Sequence, residues 1–288
     1  MKRIDFILRI LLLSSFNLFA EYAGAATTCP EGSTCYNCGS DCLAYLSNSG
    51  EQLNIIGSGE MTSTPWTSFS DYQKNIKSVV IQGNTKDEQG NILSSGITSI
   101  AKNAFYNMDG VKNVSIPDSV TTIGAYAFRA MSGMKDGLVI PDSVVTIEAG
   151  AFAYADFIKN LIIPDSVTDI GDSAFAAMSG SESIVIGNSV ENMGSGVFQN
   201  SPYKEIYCPM SKYAMCQQAL SDSGKTQQEI NKMLKTYTKE GNRYISDGVK
   251  YQNLSDMQEE AKAVKRIYTV NEANQLSGKK NKLILRYK

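Results

Sequence analysis

The chain has 288 residues, of which 42% are apolar and 19% are charged, and its formal net charge is −2. That length allows one elongated domain or two compact ones, and the near-neutral total does not point to nucleic acid or a membrane surface as a partner. The sequence contains no histidine, which excludes Ser-His and Cys-His nucleophile pairs, histidine general bases and histidine-liganded zinc.

Charge is distributed unevenly along the chain. From residue 26 to residue 203 there are 8 Lys or Arg against 18 Asp or Glu, a balance of −10, whereas from residue 204 to the end there are 16 against 9, a balance of +7. Two regions of opposite sign predict two modules.

The first 25 residues have the order of a secretory signal peptide. Lys2 and Arg3 give a positive start, residues 7–20 are mostly apolar, and residues 23–25 (Ala-Gly-Ala) offer a small-residue cleavage site. The apolar run is too short and too interrupted by polar residues for a transmembrane helix. The pattern predicts an exported mature chain that begins near Ala26 and has no transmembrane segment.

Export makes the cysteines interpretable, because disulfides form in oxidising compartments. Four of the six lie close together, at Cys29, Cys35, Cys38 and Cys42. Disulfides are favoured for these four, with their pairing left open; zinc is the rival, although zinc ribbons separate two CxxC pairs by a longer loop. We predict a disulfide between the remaining two, Cys208 and Cys216, because one ends a predicted strand and the other lies in the helix that follows.

The decisive pattern is an internal repeat. The string IPDSV occurs at 116–120, 140–144 and 163–167 and returns as IGNSV at 186–190, with steps of 24, 23 and 23 residues. A separate marker has the same period, one phenylalanine per unit: Phe105, Phe128, Phe152, Phe175 and Phe198. Two unrelated features that share one period indicate copies of a single structural unit.

Each unit predicts a short strand, a turn and a return to the interior. In the second unit, Val114 and Ile116 alternate with polar residues as in a half-buried strand. Pro117 ends that strand, Asp118 favours a turn, and Phe128 fills the core. A lone unit buries too little apolar surface to offset the entropy of ordering it, so the units are expected to stack as a solenoid.

The array is predicted to span residues 77–209, from the strand-like KSVVI to EIYCP at 205–209. Its first unit carries a polar, glycine-containing insertion at 84–96. Insertions in repeat proteins lie in loops on one face, which is often the functional face.

These units resemble leucine-rich repeats of the bacterial surface protein A-like (BspA-like) type, whose pattern L/V-x-x-V-x-I-P-x-S-V-x-x-I-G-x-x-A-F has a period of about 23 residues. The resemblance covers 77–209, and the segment 53–66 looks like the cap that precedes such arrays. It implies an α/β leucine-rich-repeat solenoid with short parallel strands, capped at both ends. It also implies a bacterial protein that is secreted or attached to the cell surface, where some members of the family adhere to host or matrix proteins.

Both ends of an open solenoid need protection. We assign the Cys-rich segment 26–76 to the N-terminal cap, in which Trp66 is interpreted as an aromatic lid rather than a ligand-stacking residue. Residues 211–220 and 227–237 have helical composition and predict a helical C-terminal cap over 210–239.

Residues 240–288 predict a small basic α+β module with a hairpin around Asp247-Gly248. Its positive charge would suit an anionic envelope or polysaccharide, with a merely solvated charged face as the simpler reading.

Three matches to functional motifs are rejected. Ser132 and Lys135 fit the S-x-x-K nucleophile pattern, but its companion elements are absent. Residues 224–226 (Gly-Lys-Thr) resemble the end of a phosphate-binding loop without the glycine that must precede it. Stacked carboxylates could bind calcium, but each lies at a turn where a side-chain bond to the backbone suffices; these residues are Asp118, Asp142 and Asp165, continued by Asn188.

We therefore expect a non-enzymatic exported protein, whether secreted, periplasmic or at the cell surface, with no catalytic, cofactor or metal residues. Its expected partner is a protein or glycan of a host, a matrix or the cell envelope, and not nucleic acid. The candidate binding surface combines the 84–96 insertion with strand positions and tyrosines: Asn113, Ser115, Lys159, Asn160, Glu182, Ser183, Tyr106, Tyr126 and Tyr154. Tyrosine-rich exposed surfaces suit protein recognition.

Two alternatives remain. One is a secreted hydrolase of glycans or peptides that uses a pair of carboxylates, and the other is an envelope structural protein held by its basic tail. A pocket with two acids about 5–10 Å apart would favour the hydrolase, whereas a pocket-free curved face would favour binding.

Overall fold

The computed structural model describes residues 28–251, except 70, 87, 135–136, 242 and 247–248. The predicted signal peptide and most of the predicted C-terminal module lie outside the described residues.

The interior of the array is a file of aromatic rings. We number the five coils 1 to 5 by their phenylalanines, all of which are fully buried: Phe105, Phe128, Phe152, Phe175 and Phe198. Successive ring centroids from coil 1 to coil 4 lie 5.3, 5.3 and 5.6 Å apart. In coils 1 to 4 the phenylalanine N–H donates to a carbonyl of the next coil at 2.8–3.1 Å. The predicted stacking of copied units is confirmed.

A sheet of very short strands runs without a break through all five coils. Its six parallel strands follow the Asp-Ser turns of the coils or precede the first of them: β4 (Gly59–Glu60), β8 (Ile97–Ile100), β10 (Thr122–Ile123), β11 (Thr146–Ile147), β13 (Asp169–Ile170) and β15 (Asn192–Met193). The sequence did not predict these strands, because all but β8 have only two residues, too few to show an alternating pattern.

The strands that the sequence did predict form a second face, divided between two sheets. The N-terminal sheet contains β1 (Cys35–Gly39), β2 (Cys42–Leu46), β3 (Gln52–Gly57), β5 (Ser78–Ile81) and β9 (Asn113–Val114). The C-terminal sheet contains β12 (Asn160–Ile162), β14 (Ser183–Val185), β16 (Glu205–Pro209), β17 (Leu234–Glu240), β18 (Arg243–Ser246) and β19 (Val249–Tyr251). We call the outer surface of these strands, from β5 to β16, the strand face.

The strand face is interrupted in coil 3. Residues 137–140 occupy the place of a strand between β9 and β12 but form none. Pro141 follows Phe128 by 13 positions, whereas the equivalent separation is 12 in the coils on either side. One extra residue shifts the pairing register and breaks the ladder, so the predicted continuous spine is divided here.

The insertion in coil 1 forms a small antiparallel hairpin of β6 (Thr85–Lys86) and β7 (Ile92–Ser94). It closes at Gly96, whose φ of +64° suits glycine and where a Cβ would lie 2.3 Å from the carbonyl carbon of Gly83. Ile92 is 61% exposed near its end, so the insertion presents an apolar side chain to solvent.

Trp66 covers the N-terminal end of the aromatic file. It lies in a 3₁₀ turn, Pro65–Ser68, just before the short helix α1 (Tyr72–Asn75), and it is fully buried. Its ring is stacked on Phe105 at a centroid distance of 6.1 Å, and its Nε1–H donates to the Ala104 carbonyl at 2.7 Å. This agrees with an aromatic lid that also supplies a hydrogen bond.

The C-terminal end is covered by helices α2 (Tyr213–Asp222) and α3 (Gln227–Met233). The Phe198 N–H, which has no further coil to pair with, donates to Ser223 Oγ at 3.1 Å. The helix expected over 227–237 is shorter than predicted, because residues 234–240 form β17 beside β16. The Leu-Lys-Thr-Tyr-Thr segment, with a tyrosine between two threonines, suits a strand better than a helix. The predicted limit between cap and C-terminal module, at 239–240, coincides with the end of β17 and stays a prediction.

All six cysteines are paired in the described part of the chain. Cys208 is joined to Cys216, the pair expected from the sequence, and the bond ties β16 to α2. The N-terminal pairs, which the sequence left open, are Cys29–Cys35 and Cys38–Cys42.

We predict that Trp66→Phe lowers the free energy of unfolding by about 1–3 kcal/mol, because it keeps an aromatic lid but removes the donor for the buried Ala104 carbonyl. Trp66→Leu, which also removes the ring contact with Phe105, is expected to cost more. Urea unfolding followed by circular dichroism measures both variants. If the unfolding free energy of Trp66→Phe differs from that of the parent by less than about 0.5 kcal/mol, roughly the cost of an ordinary surface change, the role of the hydrogen bond is contradicted.

Candidate binding surfaces of the array

One position per coil points outward from the strand face, and it is apolar in most coils. The register places it two residues before the proline, or its equivalent, of each coil: Val80, Ser115, Val139, Ile162 and Val185, followed by Tyr207 in β16. We call this row the outer column. An apolar row on an outer surface, interrupted here only by Ser115, is unusual unless something covers it.

The chain itself covers the C-terminal half of the outer column. β17 lies beside β16 and turns into β18; we call this β17–β18 pair the C-terminal hairpin. Its Tyr237 and Tyr244 pack against Val185 and Tyr207, with Ile162 at the edge of the cluster. Tyr237 is also fixed by its hydroxyl, which donates to the Ile186 carbonyl at 2.6 Å.

A polar contact holds the hairpin on coil 4. The Lys239 ammonium forms an ion pair with Asp165, and the Tyr244 hydroxyl donates to the same carboxylate at 2.6 Å. The other carboxylate oxygen accepts the Asn188 N–H at 2.7 Å. Partial burial opposes ionisation, but the Asn188, Lys239 and Tyr244 hydrogen bonds outweigh it and hold the pKa of Asp165 below its ordinary value. The bond to Lys239 in turn raises the pKa of that ammonium.

The other half of the strand face is open and grooved. Two adjoining grooves of about 500 and 680 Å³ share the coil 3 residues Leu138, Val139, Ile140 and Asp142. The first groove extends over coil 2, and the second reaches Ile162 and the C-terminal hairpin. Val139 is 81% exposed, because the irregular backbone of coil 3 turns it out of the sheet.

The strand positions proposed from sequence are exposed except at one end. Asn113, Ser115, Lys159 and Glu182 are exposed and Asn160 is half-buried. Ser183, which was expected to be exposed, is only 7% exposed. It is enclosed between β12 and β16, and its hydroxyl donates to Asn160 Oδ1 at 2.9 Å.

The three tyrosines proposed from sequence lie in another part of each coil, near the phenylalanine turn, and meet around one arginine. The Arg129 guanidinium lies 5.5 Å from the ring centroid of Tyr106, 5.6 Å from that of Tyr126 and 5.1 Å from that of Tyr154. We call these four residues the tyrosine–arginine cluster. Each contact has the distance of a cation–π interaction.

Two of the three tyrosines have left-handed backbone. Every coil has such residues two positions before and two positions after its phenylalanine, with φ between 54° and 61°. Asparagine, glycine, serine or alanine holds most of these positions, but Tyr126 and Tyr154 hold one each. A left-handed residue with a side chain costs about 1–2 kcal/mol, and the Tyr126 ring fits only because Gly150 has no Cβ, which would lie 2.3 Å from it.

Comparison with known proteins agrees with the repeat geometry. Residues 98–227 match the model of the BspA type leucine rich repeat region, in six copies. The array is a BspA-type leucine-rich repeat region. No curated protein matches the chain.

Several solved bacterial leucine-rich repeat proteins are similar to the BspA-type array. A T. pallidum leucine-rich repeat protein is 19% identical, over 63% of this chain and 71% of that one, with a TM-score of 0.41. A Bacteroides ovatus protein is 22% identical over 60% of this chain and 47% of its own, with a TM-score of 0.37. A Eubacterium ventriosum protein is 19% identical over 75% of this chain and 49% of its own, with a TM-score of 0.35. The alignment thus spans about half the length of the last two.

The rejected motifs have structural explanations in the BspA-type array. Ser132 Oγ donates to the Asp109 carboxylate of the previous coil at 2.8 Å, and Lys135 lies outside the described residues. The Gly-Lys-Thr segment joins α2 to α3, where Thr226 forms a capping box with Glu229. None of the helices in the described part of the chain has the length and apolar content that crossing a bilayer requires.

Sequence reasoning missed two functional features of the BspA-type array. Arg129 was not singled out, because the three tyrosines around it lie at three different offsets from their phenylalanines and only Tyr106 shares the offset of Arg129. It is, however, the only arginine between residues 10 and 242, and that was a usable signal. The second feature is the C-terminal hairpin, which packs over the outer column. Nothing in the repeat pattern predicts this packing.

We predict that Asp165→Asn weakens the docking of the C-terminal hairpin and that its effect depends on pH. A carboxylate with a lowered native pKa stabilises the fold above its unfolded pKa, near 3.9, and loses that contribution as pH falls through the native value. The variant should therefore be less stable than the parent by about 1 kcal/mol at pH 6, and the difference should shrink toward pH 3. Urea unfolding at pH 6, 4 and 3 measures it.

Asp142→Asn is the matched control, since it makes the same change at the equivalent position of coil 3, where the carboxylate has no ion pair among the described residues. Its difference from the parent should be small at every pH. A stability difference for Asp165→Asn that stays constant from pH 6 to pH 3 would show that the ion pair does not hold the hairpin.

Proposed function

We propose that this is an exported, surface-displayed BspA-type repeat protein that binds a protein partner without catalysis, and that the tyrosine–arginine cluster is a principal contact. The family supports repeat-mediated protein binding and a surface or exported location. Adhesion to a host, matrix or envelope protein is the form of binding we favour.

The observation that carries the proposal is the state of Arg129. Its guanidinium lies against three aromatic rings, while within the described part of the chain it forms no ion pair and donates no hydrogen bond. Arg129 is half-buried, and within the described residues its N–H donors have no protein acceptor, which leaves them available to a partner. Tyrosine and arginine are the residues that dominate the energetics of protein interfaces, and preorganised donors lower the cost of binding.

The backbone strain at Tyr126 and Tyr154 supports a functional role for the same surface. Other coils have asparagine, glycine, serine or alanine at these positions, as at Asn107, Asn200 and Gly196. Tyrosine there stabilises the fold poorly, since it costs free energy in left-handed backbone. Retaining it is understandable where the ring contributes to binding.

The hydrolase alternative would place its acids in the strand-face grooves, which Asp118, Asp142 and Asp165 line. A glycosidase of this kind needs one carboxylic acid that stays protonated near neutral pH. The hydrogen bonds to Asp165 lower its pKa, which is the opposite of that requirement. The alternative of a basic tail that holds the protein in the envelope concerns residues outside the described range.

The experiment is a binding comparison that uses the chain without its predicted leader. We expect it to retain a protein from extracellular-matrix or cell-envelope fractions, with the affinity then measured by surface plasmon resonance on the purified partner. Arg129→Gln should weaken that affinity at least tenfold, as expected for loss of a central interface residue. Lys112→Gln, the same charge change at an exposed position outside the cluster, should stay within twofold.

Equal affinities for Arg129→Gln and Lys112→Gln would contradict the role of the cluster. Turnover of a glycan or peptide substrate that is lost in Asp142→Asn would replace binding by hydrolysis as the function.

We predict that Tyr154→Asn separates stability from binding. Tyr154 is 50% exposed, and asparagine is the residue that coils 1 and 5 use at this left-handed position. Relief of strain should increase the free energy of unfolding by up to about 1 kcal/mol, so the melting temperature should stay unchanged or rise by a few degrees. Affinity for the partner should fall, because the tyrosine ring is lost. A variant that melts well below the parent would show that the ring supports the fold instead.

A further inference from the structure

The C-terminal hairpin shows what kind of segment the strand face accepts. On coils 4 and 5 the face is covered by antiparallel strands whose tyrosines rest on the outer column. The accompanying lysine, Lys239, pairs with Asp165, the acid that follows the proline of coil 4. The recognised pattern is therefore an aromatic ring on the apolar column beside a cation on the turn acid.

Coil 3 repeats both features of this pattern and coil 2 repeats its acid, and among the described residues neither coil has an occupant there. Val139 continues the outer column from Ile162, and the turn acids Asp142 and Asp118 continue the row from Asp165. Within the described residues, neither of these two carboxylates has an ion-pair partner within 4 Å. The open half of the face thus offers the same two features as the covered half.

The interruption in coil 3 gives this half the depth that a flat sheet lacks. The grooves on either side of residues 137–140 expose Leu138 and Val139 and remain open to solvent. Ser166, which lines the second groove, has a buried hydroxyl with no hydrogen-bond partner. The equivalent Ser119 and Ser143 each donate to a carbonyl of the preceding coil at 2.7 Å, so coil 4 lacks a bond to coil 3 that its neighbours make.

Charge favours a basic occupant. Residues 26–203 carry a balance of −10, and the segment that already covers the face contributes a lysine. A complementary charge on the partner would steer it toward this half of the face and fix its position there.

We infer that the grooves of coils 2 and 3 bind an extended segment of a partner protein that places an aromatic side chain on Val139 and a lysine or arginine at Asp142. The mode is strand-like docking next to the C-terminal hairpin, with pockets for alternate side chains. The inference rests on the proposed binding of a protein partner, but it uses a surface distinct from the tyrosine–arginine cluster.

The test is selection from a random 15-residue peptide library displayed on phage, panned on the chain without its predicted leader. Peptides that also bind Val139→Asp are removed. The survivors are expected to combine tyrosine, phenylalanine or tryptophan with lysine or arginine. By fluorescence polarisation, Val139→Asp should weaken the best peptide more than tenfold and Asp142→Asn about threefold, in line with loss of one apolar anchor and one partly exposed charge pair.

Val145→Asp is the matched control, because Val145 is an exposed valine (41%) that does not line the grooves. It should leave affinity within twofold. Library selection that yields no peptide, or peptides without the aromatic and basic residues, would overturn the inference. So would a Val139→Asp effect confined to self-association in sedimentation, which would make this face a contact between copies of the chain.

Arg129→Gln separates the two proposals. It should leave affinity for the selected peptides within twofold even where it abolishes binding of the natural partner. If peptides bind the grooves but no protein is retained from matrix or envelope fractions, the groove specificity stands and the proposed function fails. If a natural partner binds in a way that depends on Arg129 while no peptide binds the grooves, the proposed function stands and the inference about the grooves fails.

Discussion

The structure depends on one interaction repeated between coils, the hydrogen bond from each core phenylalanine N–H to a carbonyl of the next coil. A single coil leaves this donor and the matching acceptor buried without partners, which is costly in an apolar interior. Both ends of the array therefore need a substitute. Trp66 supplies the missing donor at one end through its indole N–H, and Ser223 supplies the missing acceptor at the other through its hydroxyl.

Because the period of this ladder fixes the interior, the chain can vary only where it does not disturb the stacking. Three departures from regularity are found, and all of them lie in coils 1 to 3: the 84–96 hairpin, the extra residue before Pro141, and tyrosines in left-handed backbone. Coils 4 and 5 are regular, and their strand face is covered by the C-terminal hairpin. The surfaces available for recognition are thus concentrated at the N-terminal half of the array, for a reason that lies in the packing of the other half.

The sequence predicted what the period determines, and less of what depends on contacts between distant segments. The aromatic file and the Trp66 lid follow from local pattern and from the need to protect an open end. The short strands such as β10 could not be predicted, because two residues carry no periodicity. The burial of Ser183 could not be predicted from its own coil either, since it results from strands on both sides. The tyrosines were found, but their convergence on Arg129 depends on residues at different offsets in three coils.

The uneven charge of the chain has a structural consequence beyond the division into modules that it first suggested. At least one residue of the basic region, Lys239, forms an intramolecular ion pair with Asp165 of the acidic array. Opposite charge therefore positions the C-terminal hairpin on the face, while the apolar contacts of Tyr237 and Tyr244 supply the buried area. Within the described residues, the hairpin contacts Ile162 and Asp165 of coil 4, and coil 3 forms no strand beside them. The irregular backbone of coil 3 leaves Val139 and Asp142 exposed among the described residues, so the departure that interrupts the strand face also creates the surface that a partner can reach.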